Sequence, residues 1–66
     1  MPIIRVEMHE GRTAEQKRAL AAALTDAMVE HAAADRAAVR VVFTDYAKSD
    51  WAIAGELVSD REARGD

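Results

Sequence analysis

The sequence predicts an α+β chain: one β-α-β unit with parallel strands, closed by a short C-terminal hairpin, that associates with copies of itself. Three observations carry this expectation. Two stretches alternate apolar and polar residues with a period of two, and the stretch between them has helical spacing. The chain is also too short, at 66 residues, and too rich in alanine to bury a sufficient core alone.

In the first stretch Ile4, Val6 and Met8 alternate with Ile3, Arg5, Glu7 and His9, the pattern of a half-buried strand. The segment "EGRTAEQ" then supplies a turn glycine, Gly11, and a Thr-x-x-Gln capping box of Thr13 and Gln16, so a helix is expected from about Ala14 to about Ala33. Within it Leu20, Leu24, Ala27, Met28 and His31 fall at helical spacing, with Lys17, Arg18 and Glu30 assigned to the exposed face. After the connection "AADRAA", "VRVVFTD" resumes the alternation, with Val39, Val41 and Phe43 on one face and Arg40, Val42 and Thr44 on the other. A strand, a helix of roughly twenty residues and a second strand make a right-handed crossover between parallel strands. "YAKSDWAIAGEL" reads as a loop and a glycine-containing hairpin, and residues 58–66 as a polar, frayed tail. No repeat or linker divides residues 1–66, which are expected to form one domain.

A chain of this size buries only about 60% of the surface its unfolded form exposes. Ordering it costs on the order of 100 kcal/mol at roughly 1.5 kcal/mol per residue. It has no cysteine for a disulfide, and its two histidines stand far apart without clustered companions. Self-association is the remaining route to stability, and Ile3 and Val42 place apolar atoms on the face that one helix leaves open. A net charge of −3, with both signs interspersed, argues against a nucleic-acid partner. No apolar run approaches the roughly 18 residues that span a bilayer. Arg5, Glu7, His9 and Glu10 interrupt any signal-peptide core, so the expectation is a cytoplasmic protein with no membrane partner.

Four residues carry candidate chemistry. Removal of Met1 would leave Pro2 with a free secondary amine, and α-amino groups titrate at about 7.7–8, near enough to neutrality for a general base. Arg12 follows Gly11 at the mouth of the helix amino terminus, where backbone N–H groups favour anions, and reads either as an anion ligand or as a solvated turn residue. Arg40 stands in an otherwise apolar strand and needs a ligand, an intersubunit salt-bridge partner or water on the outer face. Trp51, the only tryptophan, is either a core or interface residue or the apolar wall of a site. His9 and His31 read as a surface strand residue and a helix-edge residue, and Asp45, Asp50 and Glu56 as loop charges.

Pro2, the "EGRT-EQK" element, "VRVVFTD" and the aromatic of "WAIAGE" together resemble the 4-oxalocrotonate tautomerase family, the short-chain branch of the tautomerase superfamily. The resemblance covers nearly the whole chain. It implies paired protomers forming four-stranded sheets and three pairs forming a homohexamer. It further implies that Pro2 is the catalytic base, that Arg12 holds a distal carboxylate, and that Arg40, from a neighbouring subunit, polarises the carbonyl and its adjacent carboxylate. Trp51 takes the place of the apolar residue that keeps the proline amine's pKa low. The partner is then a small carboxylate substrate, and no cofactor or metal is implied.

The chain departs from the family's pattern in two ways. Ala52 and Ala54 replace glycines, so that a positive φ at those positions would require a different hairpin. Ile53 stands where haloacrylate-hydrating relatives carry a carboxylate, which argues against hydrolytic dehalogenation. The expected activity is proton transfer in small unsaturated 2-oxo (enol) acids. The alternatives are a non-catalytic oligomeric protein that binds acidic metabolites and carbon–carbon bond formation through an iminium at Pro2.

Overall fold

The computed structural model describes residues 1–65, in which a strand β1 (Ile3–His9) leads through a turn into helix α1 (Ala14–Ala32). A single 3-10 turn (Arg36–Ala38) precedes strand β2 (Arg40–Tyr46), and a second (Lys48–Asp50) precedes a hairpin of β3 (Ala52–Ile53) and β4 (Glu56–Leu57). Helix α2 (Val58–Ala63) follows directly.

α1 starts where its capping chemistry requires. The Thr13 hydroxyl accepts the Gln16 N–H at 3.1 Å, and the Gln16 side chain accepts the Thr13 N–H at 2.9 Å. It ends at Ala33, which adopts the left-handed conformation at φ 54° while Ala34 N–H reaches back to Met28 O at 3.2 Å. Its half-buried line is Lys17, Leu20, Ala21, Leu24, Thr25 and Met28, whereas Ala27 and His31, expected on that line, are exposed. Lys17 is therefore not on the exposed face. It joins Asp45 at the end of β2 through a 2.5 Å ion pair that ties helix to sheet.

β1 and β2 pair in parallel from Ile3↔Arg40 to His9↔Tyr46. Ile4, Val6 and Met8 with Val41 and Phe43 are half-buried on the side of the Lys17–Asp45 tie, while Ile3, Arg5, Glu7, Arg40, Val42 and Thr44 are exposed on the other. No described side chain is fully buried in the single chain, and Ile3 and Val42 remain 55% and 41% exposed. The radius of gyration is 15.4 Å, against about 11 Å for a compact domain of this length. One helix over two strands is thus half a core, and the open sheet face is apolar enough to need covering.

The C-terminal region departs from expectation twice. Residues 58–63 form α2 rather than a frayed tail, because Lys48 pairs with Glu62 at 2.8 Å, Val58 N–H donates to Trp51 O at 2.8 Å, and Glu56 takes Arg64. Asp66, the last residue of that expected tail, lies outside the described residues. The hairpin turns on Ala54 (φ 53°) and Gly55 (φ 83°), the two positive φ values of a type I′ loop. Alanine therefore adopts the left-handed conformation expected only of glycine, and the hairpin keeps its tight geometry with local strain of about 1–2 kcal/mol.

Candidate active site

The direction of the parallel strands decides where the four candidate residues lie. Pro2 immediately precedes β1, and its carbonyl accepts the N–H of Arg40, the first residue of β2, at 2.9 Å. Pro2 is half-buried and Met1 before it is 83% exposed. The Arg40 side chain is exposed, with Nη1 donating to Ala37 O at 3.2 Å, and it has no ion-pair partner among the described residues.

Arg12 and Trp51 lie at the other end. β1 stops at His9, and Gly11, at φ 118°, turns the chain in a conformation that residues with a Cβ seldom adopt. The turn brings Arg12 Nη1 back to the His9 carbonyl at 3.4 Å. The Lys48–Asp50 turn delivers Trp51 onto the same strand ends, where its indole stands edge-on to His9 (4.6 Å between centroids, 82°) and to Tyr46 (5.6 Å, 86°). The Tyr46 hydroxyl donates to Glu7 Oε1 at 2.7 Å. That hydrogen bond, with desolvation and the carboxylate's charge, raises the tyrosine pKa above its ordinary value and keeps the hydroxyl a donor.

Two recesses border this end. One, of about 280 Å³, is lined by Glu7, Tyr46, Asp50, Trp51 and Ala52. The other, of about 410 Å³, is lined by His9 and Arg12 with Glu10, Lys48, Ile53, Val58, Arg61 and Glu62. Arg12 is the cation in it left without a carboxylate among the described residues, since Lys48 pairs with Glu62 and Arg61 with Glu56. Among the described residues no three His, Asp or Glu side chains cluster as metal ligands would, and no helix is long and apolar enough to cross a membrane.

The structure thus brings together Pro2 with Arg40, and Arg12 with Trp51, but separates the two pairs by the length of β1. Seven residues at about 3.3 Å each make roughly 23 Å, more than a small acid spans. The residue that sequence reasoning missed is His9. Read as a surface residue, it touches both Trp51 and Arg12, and its Nε2 is enclosed with no hydrogen-bond partner among the described residues, a burden of about 1–3 kcal/mol. Its position at the strand end, three residues before Arg12, was the available signal.

The family model described as "Tautomerase enzyme" matches residues 2–61. The chain belongs to the 4-oxalocrotonate tautomerase family. Its match to the solved structure of TomN, a 4-oxalocrotonate tautomerase homologue in the tomaymycin biosynthetic pathway, has a TM-score of 0.93 at 35% identity and covers 98% of this chain and all of that one. A probable tautomerase of Ralstonia nicotianae is 45% identical over 60 residues, covering 91% of this chain and 92% of the relative. The 2-hydroxymuconate tautomerase of Bacillus subtilis is 40% identical over 62 residues, covering 94% of this chain and all of the relative. As a tautomerase, the chain is an isomerase by class of reaction, and its β-α-β unit with a C-terminal hairpin is the family's fold.

Proposed function

We propose that the chain, once Met1 is removed, is a cofactor-independent tautomerase of small unsaturated 2-oxo (enol) acids, acting at a site shared between subunits. Pro2 is the base. Its amine takes the proton of the substrate's 2-hydroxyl as the C2 carbonyl forms and the double bond shifts, and the resulting ammonium returns that proton to carbon. Arg40 of a neighbouring pair of subunits faces the oxygen on which charge develops, where an oriented guanidinium stabilises the transition state more than the ground state. Arg12 holds the distal carboxylate through its planar fork. Trp51 walls the amine from water, which favours its neutral form.

The observation that carries this reading is the separation of Pro2 from Arg12 and Trp51, because an antiparallel pairing of two copies removes it. Among the described residues this sheet has two strands, so β1 has an open edge. β1 is centred on Val6. A two-fold axis through Val6 sets Ile4 opposite Met8 of the partner subunit on the helix side, and Arg5 opposite the partner's Glu7 on the outer side. The same operation around Phe43 in β2 would set Val41 against Asp45, a carboxylate already engaged by Lys17. In the β1 register Pro2 comes level with the partner's Glu10, beside the turn that carries Arg12 and close to Trp51. Packing of the outer faces then covers Ile3 and Val42 and assembles three such pairs into a homohexamer.

The test is mass spectrometry of the N-terminus followed by ketonisation assays with 2-hydroxymuconate and phenylenolpyruvate. Processed protein should turn over an enol acid, and Pro2→Ala should lower kcat on the order of 10²–10⁴-fold. Full activity in protein that retains Met1 would refute Pro2 as base.

A further inference from the structure

We propose that His9 is a positioning residue of this site, whose ring sets the orientation of the Trp51 indole beside the Arg12 turn. The proposal rests on the reading above, in which Trp51 and Arg12 serve the site. His9 and Tyr46 are ladder partners, the last residues of β1 and β2, so their rings stand side by side at one level of the sheet. Trp51 lies across both, close to perpendicular to each, at 4.6 Å from His9 and 5.6 Å from Tyr46. Edge-to-face contacts of this kind are directional, because the positive edge of one ring meets the negative face of another.

The two supports differ. Tyr46 is anchored by its hydroxyl to Glu7. His9 Nε2 is enclosed and makes no hydrogen bond with the described residues. A histidine at a strand end can ordinarily turn a ring nitrogen to water or to an acceptor. Here ring packing against the indole prevails, and an apolar side chain of similar size would fill the place without an orphaned nitrogen. His9 also faces the Arg12 recess, and its carbonyl receives the Arg12 guanidinium. His9 thus meets the apolar wall with its ring and the distal-anion group with its carbonyl, so the ring orients the indole at the strand end where Arg12 is held.

Trp51 is the only tryptophan, so its emission reports the indole directly in the assembled protein. His9→Leu and His9→Gln, which remove the aromatic ring, should each increase quenching of Trp51 emission by acrylamide and lower kcat/KM for 2-hydroxymuconate on the order of 10-fold, the scale of a small misplacement in a site. His9→Phe, which restores an aromatic edge, should return both values to near those of the unaltered protein. Quenching unchanged in the Leu and Gln variants overturns the proposal, as does a Phe variant impaired as much as they are. If the unaltered protein turns over no enol acid, the proposed function fails, yet the quenching comparison still decides whether His9 positions the indole.

Discussion

The carbonyl of Pro2 accepts the N–H of Arg40 at 2.9 Å, which fixes these two residues at the start of the parallel ladder while Arg12 and Trp51 gather at its end. A parallel pair has its two strand starts together and its two strand ends together, so no rearrangement of side chains within one chain can unite them. The proposed shared site rests on this strand direction, and the roles proposed for the two arginines can be separated by kinetics.

If Arg12 grips a distal carboxylate, Arg12→Ala should raise KM for 2-hydroxymuconate and barely alter turnover of the monoacid phenylenolpyruvate. If Arg40 meets charge that develops only in the transition state, Arg40→Ala should lower kcat for both, by about 10²-fold if its loss resembles removal of one oxyanion donor. Steady-state kinetics of the two variants on the two substrates check this. Equal penalties throughout would mean that the roles are misassigned.

Ala54 adopts φ 53° in the hairpin loop, a conformation that glycine takes without steric penalty. Ala54→Gly should therefore stabilise the folded protein, by about 0.5–1 kcal/mol after the entropy of the more flexible unfolded chain is deducted. Chemical denaturation at fixed protein concentration measures it. A loss of stability would show that the alanine is not strained there.

These results separate what the residue pattern encodes from what it does not. Alternation in Ile3–His9 and the Thr13–Gln16 box are local signals, and the strand and the helix start follow them. The Lys17–Asp45 pair joins residues 28 apart, and α2 is held by partners such as Lys48 that lie outside it, so neither is written in local periodicity. The left-handed Ala54 is likewise imposed by hairpin closure against alanine's own preference. The separation of Pro2 from Arg12, by contrast, was implicit in the sequence, since β1 begins beside one and ends beside the other.

Tyr46 is the only tyrosine, so its titration can be followed by ultraviolet absorbance of the tyrosinate. The hydrogen bond to Glu7 raises its pKa above 10.0 in the folded protein. The folded state therefore holds this proton more tightly than the unfolded state. The resulting stabilisation is fully present below the ordinary tyrosine value and is lost as pH rises through the folded value. Glu7→Gln removes the charge and should move the titration back toward the ordinary value. An unmoved titration would show that Glu7 is not the cause.

The most direct test of the shared site is complementation between two variants impaired at low concentrations of 2-hydroxymuconate. Pro2→Ala and Arg12→Ala proteins, each impaired alone, are unfolded together, refolded as mixed oligomers and assayed with 2-hydroxymuconate. In a mixed pair one site would combine both substitutions, while the other would combine the intact Pro2 of one subunit with the intact Arg12 of its partner. The account predicts that activity returns on mixing, to as much as half that of the unaltered enzyme for each mixed pair. Activity that stays at the average of the two separate variants, in oligomers shown by mass spectrometry to be mixed, would contradict it and place Pro2 and Arg12 in sites that do not share a substrate.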